Sequence, residues 1–381
     1  MRLTRINYSQ FSGKPQEWVL SDLVLGPSNL IVGKNASGKT RTLNVINALG
    51  KMLAGKQKPA YMSGDYDTIF EHEGKNLRYC LEYTDRKVVR EEVYVDEKRL
   101  LHRGAGGIGK IYHEKEKKDL EFQSPESDLA AFARRDSIQH SFLEPFGDWG
   151  TGVRHYTFGG TMGHTTMVVV VKDGPQVDPS DANQVIALFR KGVKDHPDVF
   201  AEAVRQDMCA IGYPLETVGV RAPSNIILYP AISENPVMLY VKERELPCET
   251  EQTELSQGMF RALAVIIHLN YALLASKPSC IVIDDIGEGL DFDRSCLLID
   301  LLRRKALDSS VQIILSTNDR FVMNKVPLDE WSVLQREGGR VRVRNYQNSK
   351  EVFDEFKFTG LNNFDFFASE FLTQQEAVAH E

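Results

Sequence analysis

The sequence predicts an α/β protein: a parallel core sheet covered by helices, joined to an antiparallel β subdomain and carrying a helical insertion. Three observations carry this. "SNLIVG" (Ser28–Gly33) is a buried-type apolar run that leads through a glycine-rich loop into a helical pattern. From Met259 to Thr317, helix and strand patterns alternate, which is the βαβ order of a parallel sheet. From Thr68 to Leu101, "LRYCLEY" and "VREEVYV" alternate as antiparallel strands do.

Along the chain, Leu3–Phe11 and Trp18–Leu25 read as strands. Thr40 to Leu53 reads as a helix, with Leu43, Ile46, Leu49 and Leu53 on one face. His102–Lys110 is a glycine-rich loop, and the charged "HEKEKKDLEF" after it is a solvated edge. Ser127–Ser137 reads as a helix and Thr165–Gly174 as a buried strand. Pro179–Tyr213 reads as two helices broken at Pro197. Then come helix Met259–Ser276, strand Ser279–Asp284, helix Phe292–Leu307 and strand Val311–Thr317. Phe353–Phe371 holds seven phenylalanines, which either cover the sheet or dock another subunit. The expected organisation is one unit over 1–381. It divides into a phosphate-loop lobe (1–125), a middle segment (126–215), a second lobe (216–345) and a tail (346–381).

Composition narrows the function classes. Net charge is −7, which argues against a surface that binds nucleic acid throughout. Five scattered cysteines without a CxxC spacing indicate neither a zinc site nor a disulfide framework; a cytoplasmic setting with reduced thiols is expected. No leader pattern and no 18-residue apolar run is present, so no membrane partner is expected.

"GKNASGKT" fits G-x-x-x-x-G-K-[ST], between a strand and a helix as that loop requires. Backbone N–H groups wrap the phosphates, glycines permit the close approach, and the helix N-terminus adds its positive dipole end. The expected nucleotide-binding residues are Gly33, Lys34, Asn35, Ala36, Ser37, Gly38, Lys39, Thr40 and Arg41. Lys39 supplies a point charge, and the Thr40 hydroxyl ligates Mg²⁺. "CIVIDD" delivers two carboxylates from a buried strand to its C-terminal edge. Asp284 is the second expected metal residue, and Asp285 is the carboxylate beside it. "LSQG" precedes a long helix, with Ser256 placed to cap it.

These motifs, in this order, resemble the heads of ABC-type P-loop ATPases. Among these they resemble the bacterial OLD and SMC-like group and the ATPase subunits of anti-phage defence operons. The resemblance implies that ATP and Mg²⁺ are sandwiched between two heads, in a homodimer or higher oligomer. It implies that Ser256, Gln257 and Gly258 act in trans on the partner's nucleotide, and that Asp291 in "GEGLD" is a D-loop aspartate facing the partner. Where the group carries glutamate, this chain has Asp285, about 1.5 Å shorter in reach; Glu288 is an alternative. The resemblance makes Asp285 and Asn318 the expected catalytic residues: Asn318 stands where transporter-type proteins place a histidine, and can orient phosphate or water by hydrogen bonds but cannot carry a proton or a positive charge. Slow hydrolysis is the expectation. The group's glutamine loop has two candidates, Gln139 and Gln123. OLD nucleases continue into a nuclease domain for which this sequence leaves no room. The resemblance therefore implies a separate effector, a nuclease or toxin. A rival reading is a DNA-repair ATPase of the recombination-mediator type, with a basic groove around Arg134, Arg135 and Arg154. A transporter ATPase is disfavoured by the missing Glu/His pair.

Overall fold

The computed structural model describes residues 1–59, 61–169, 177–225, 236–276, 279–369 and 371. The chain opens with β1 (Arg2–Gln10), β2 (Trp18–Val24), β3 (Ser28–Val32) and α1 (Lys39–Leu53). An antiparallel run follows: β4 (Ser63–His72), β5 (Lys75–Thr84), β6 (Lys87–Val95), β7 (Lys98–Arg103), β8 (Ile108–His113) and β9 (Lys118–Gln123). The middle contains α2 (Ala130–Ala133), α3 (Glu144–Gly152), β10 (Val153–Thr157), β11 (Val168–Val169), α4 (Val185–Asp195) and α5 (Phe200–Ala210). Next come β12 (Leu215–Arg221), β13 (Pro236–Glu243), β14 (Thr250–Glu251), α6 (Gln257–Leu274), β15 (Ser279–Asp284), α7 (Phe292–Leu307) and β16 (Val311–Ser316). The chain closes with α8 (Arg320–Lys325), β17 (Trp331–Glu337), β18 (Arg340–Asn345), α9 (Lys350–Lys357) and α10 (Asn363–Ala368).

One 14-stranded sheet runs β10-β15-β16-β3-β17-β18-β2-β1-β4-β5-β6-β7-β8-β9. Its first five strands are parallel, and β3, β15 and β16 are buried along their whole length, as strands covered on both faces must be. The period of two sorts their side chains between two cores. Leu30, Val32, Ile281 and Ile283 pack on the face covered by α4–α7; Ile31, Cys280 and Val282 pack on the face covered by α1 and α3. The antiparallel strands continue the same sheet, and β11, β12, β13 and β14 form a second, small sheet. The helix α6 is the one described helix apolar and long enough to cross a membrane, and 83% of it is buried in the core.

Several expectations change. The helix expected over Ser127–Ser137 shrinks to α2. The Asp136 carboxylate accepts from the N–H groups of Ile138 and Gln139 at 2.8 and 2.7 Å, a local bond that competes with helix. The His102–Lys110 loop tightens to a turn at Gly104–Gly107, because β7 and β8 run through its ends as a hairpin. Of Thr165–Gly174, only Val168–Val169 is a described strand, and 170–174 lies outside the described residues. The glycine-rich α3 gives no helical signal, yet it forms by packing. Phe146 and Trp149 pack edge-on against Phe70, and a Cβ at Gly150 would lie 2.6 Å from the Gly50 carbonyl oxygen of α1. In the tail Phe353, Phe356 and Phe366 are buried: Phe353 and Phe356 pack on Phe366, which meets Trp331, whereas Phe358 is 90% exposed.

Candidate nucleotide site

The loop between β3 and α1 has the form of an anion cradle. Gly38 has φ +106° and Ala36 φ +63°, which turn successive backbone units inward. A Cβ on Gly33 would stand 2.4 Å from Ser37 Oγ, so only glycine closes the loop. The N-terminus of α1 has no side-chain cap and no acid in its first turn, which leaves its dipole end to an outside anion. The buried Ser37 hydroxyl has no hydrogen-bond partner among the described residues. ATP phosphates fit this site.

Lys39 is buried and donates to the carbonyls of Gly33 and Lys34 at 2.7 and 3.4 Å. Burial lowers its pKa, against the pull of Asp285 and Asp284. Lys34, Asn35, Ala36 and Thr40 are exposed. The Arg41 guanidinium lies 4.3 Å over the Trp18 ring and donates to Gln10 at 2.7 Å. Arg336, from β17, donates to the Ala36 carbonyl at 3.1 Å.

The two aspartates sit at the carboxyl ends of the parallel strands, and their charges act on Lys39 across the edge. Ser316, ending β16, donates to Asp284 Oδ1 at 2.5 Å and accepts from the Asp285 N–H at 3.0 Å. Asp284 and the exposed Thr40 hydroxyl are an oxygen pair suited to Mg²⁺. Asp285 turns the chain out of the strand with φ +54°, a left-handed conformation that aspartate tolerates better than most residues. Burial, then the charges of Asp284 and Glu288, push its carboxyl up, against Lys39. Asn318 donates to Asp285 Oδ1 at 3.4 Å.

Ser256 caps α6, its Oγ accepting from the Met259 N–H at 3.2 Å. Ser256 and Gln257 are exposed, whereas Gly258 is buried against the 287–290 loop. A Cβ on Gly258 would lie 2.1 Å from the Gly289 carbonyl oxygen. We expect Gly258→Ala to cost about 1–3 kcal/mol of stability by overpacking; chemical denaturation measures it, and an unchanged midpoint would remove the packing role. Asp291 caps α7 and is held by Arg294 at 2.5 Å, so it has an internal task besides any outward one.

Some expected residues are not brought to the site. Gln139 lies in an exposed turn whose carbonyl bonds the Glu114 N–H beside β8, and Gln123 ends the edge strand β9; both are at the opposite edge of the sheet from β15. The strand that borders β15 is β10, with Thr157 in register with Asp284 and no glutamine in the loop that follows. The basic groove is not assembled either. Arg154 is buried on the carbonyls of Pro179 and Gly152, Arg135 pairs with Glu144, and Arg134 bonds the Gln123 carbonyl. Motif reading missed Ser316, Arg336 and Thr157. Only the polar end of the apolar run "IILS" signalled Ser316; the other two depend on strand neighbours.

No family model matches the chain, and no curated protein matches its sequence. Solved structures do match. One is an SMC head bound to the C-winged helix domain of ScpA. It is 13% identical, with a TM-score of 0.52, covering 92% of this chain and 100% of that one. Another is an SMC head with an extended coiled coil bound to the C-terminal domain of ScpA, from Pyrococcus furiosus. It is 11% identical, with a TM-score of 0.51, covering 93% of this chain and 99% of that one. At this identity the likeness is one of fold: the chain has the fold of these SMC heads.

Proposed function

We propose that this chain is an ATP-binding head that closes on a second copy of itself around Mg²⁺–ATP and hydrolyses it slowly. The observation that carries the reading is the facing of Lys39 and the paired carboxylates Asp284 and Asp285 across the ends of the parallel strands. In this reading residues 33–41 hold the nucleotide. Lys39 exchanges the Gly33 carbonyl for a phosphate oxygen. Mg²⁺, when bound at Thr40 and Asp284, neutralises charge on the phosphates. Asp285 accepts the proton of the attacking water, and its raised pKa suits that task. Asn318 orients that carboxylate. The short reach of Asp285 keeps turnover slow, since misplacing a catalytic group by about 1 Å costs roughly 100-fold. Ser256 and Gln257, exposed at the positive end of α6, face the phosphates on the second copy. Both SMC heads carry a ScpA domain, which supports a protein partner on this head. The resemblance to defence-operon ATPases supports an effector, nuclease or toxin, as that partner, restrained or released by the nucleotide state.

Sedimentation velocity tests the dimer. Mg²⁺–ATP is expected to double the mass of the wild type. Ser256→Arg, which sets a bulky side chain on the joining surface, is expected to stay monomeric while still binding nucleotide. Equal association with and without nucleotide would reject the reading.

A further inference from the structure

Arg261, one turn into α6, is 6% exposed, and no carboxylate pairs with it among the described residues. Its guanidinium is instead shared among neutral oxygens of three separate segments. Nη1 donates to the Glu288 carbonyl at 3.0 Å, in the loop that follows Asp285. Nε donates to the Gly160 carbonyl at 3.3 Å, in the loop that follows Thr157. Nη2 donates to the side-chain oxygen of Gln257 at 3.3 Å, on the exposed surface of the "LSQG" signature segment. Burying a cation without a carboxylate is costly, so its donors must be well used. The rigid fork of arginine spans three acceptors in a way lysine cannot.

The surroundings fix this geometry. A Cβ on Gly289 would stand 2.8 Å from Arg261 Nη1, and one on Gly159 would stand 3.1 Å from the Glu288 carboxylate. Gln252 fastens the other end of the same loop: its side-chain nitrogen donates to the carbonyls of Gly163, His164 and Thr166 at 3.1, 2.9 and 3.0 Å. The two loops beside the Asp284 and Asp285 carboxylates are thus tied to the start of α6.

We propose that Arg261 is a positioning residue that couples the exposed signature surface to the Asp285–Glu288 loop and the 158–163 loop. A contact made on Gln257 is then carried to the carboxylates through one side chain. The inference rests on the ATP reading for its purpose, but the coupling itself is a property of the nucleotide-free chain.

The test is amide hydrogen exchange on the full chain, wild type, Arg261→Gln and Arg261→Lys, without nucleotide. Arg261→Gln is expected to raise exchange about tenfold or more in both 159–163 and 286–290, leaving α1 unchanged; Arg261→Lys, which keeps the charge but loses the fork, is expected to do the same. Turnover is then expected to fall about 100-fold, as for a misplaced carboxylate, with ATP affinity within about twofold of wild type. Unchanged exchange in either loop overturns the proposal. If Arg261→Gln loosens the whole chain, Gln257→Ala decides, read without nucleotide so that its place facing the second copy does not enter. Exchange in 286–290 must then rise while α1 stays unchanged; exchange equal to wild type overturns the proposal. A wild type that binds no ATP defeats the functional reading and leaves the nucleotide-free exchange test standing.

Discussion

Lys39→Ala lowers ATP affinity about 100-fold and leaves the ligand-free fold intact. The Lys39 ammonium is buried and, among the described residues, bonds the carbonyls of Gly33 and Lys34 at 2.7 and 3.4 Å. A charge-assisted contact to phosphate is worth about 3 kcal/mol, which is about two decades in Kd. The pH argument gives the sign for the ligand-free state. Burial holds the folded pKa of Lys39 below its ordinary 10.5. Its contribution to stability is therefore present above that ordinary value and lost as pH falls through the folded pKa. Burial disfavours the cation in the folded chain, and a phosphate relieves that penalty. The variant should thus melt no lower than the wild type without nucleotide. Saturating Mg²⁺–ATP, at about 100 times Kd, should stabilise the wild type by about 2.7 kcal/mol and the variant hardly at all. Equal ATP-induced shifts in thermal denaturation would show that Lys39 does not touch phosphate.

Asp285→Asn lowers turnover about 100-fold or more and keeps ATP affinity. A positioned proton acceptor contributes about 10²–10⁴ in rate. Asparagine keeps the size and tolerates the left-handed backbone at φ +54°, so the loop keeps its shape. The raised folded pKa of Asp285 gives two pH signatures. Its contribution to stability is fully present below the ordinary 3.8 and is lost as pH rises through the folded pKa. Ligand-free Asp285→Asn should then be the more stable form at pH 7, with the gap closing as pH falls below the folded value. Wild-type turnover should fall as Asp285 is protonated over the same range. Glu288→Gln is the control. If it stops hydrolysis while Asp285→Asn does not, the proton acceptor is Glu288, whose carboxylate leans over Gly159.

How much of the site was legible depended on whether its parts are contiguous in sequence. The loop "GKNASGKT" and the strand "CIVIDD" are each contiguous, so spacing alone placed Lys39 at the start of a helix and Asp284 at the end of a buried strand, where the structure has them. The ends of β15 and α7 were legible to the residue, because apolar periodicity and the Asp291 cap mark them locally. Gln139 was misread because its name matched a role while its place in the sheet did not. A one-dimensional pattern does not say which strand borders β15, and β10 does so from over 120 residues away. The helix α3 was invisible because Gly147, Gly150 and Gly152 weaken helical propensity, and what holds it is the close approach to α1.

By itself, the sequence determined the α/β class, the strand, glycine-rich loop and helix over 28–53, the two aspartates at the end of β15 and the cap of α6, all of which rest on short-range backbone geometry and periodicity. The tertiary structure alone decided the rest. It set Ser316 on Asp284, Thr157 beside it in register, Arg336 on the loop carbonyl, and Arg261 among three segments. It also buried Arg154, which took one of the three arginines of the expected basic groove off the surface. The reason is physical: a hydrogen bond between distant strands depends on sheet order and register, and these are fixed by the packing of the whole core rather than by any local stretch.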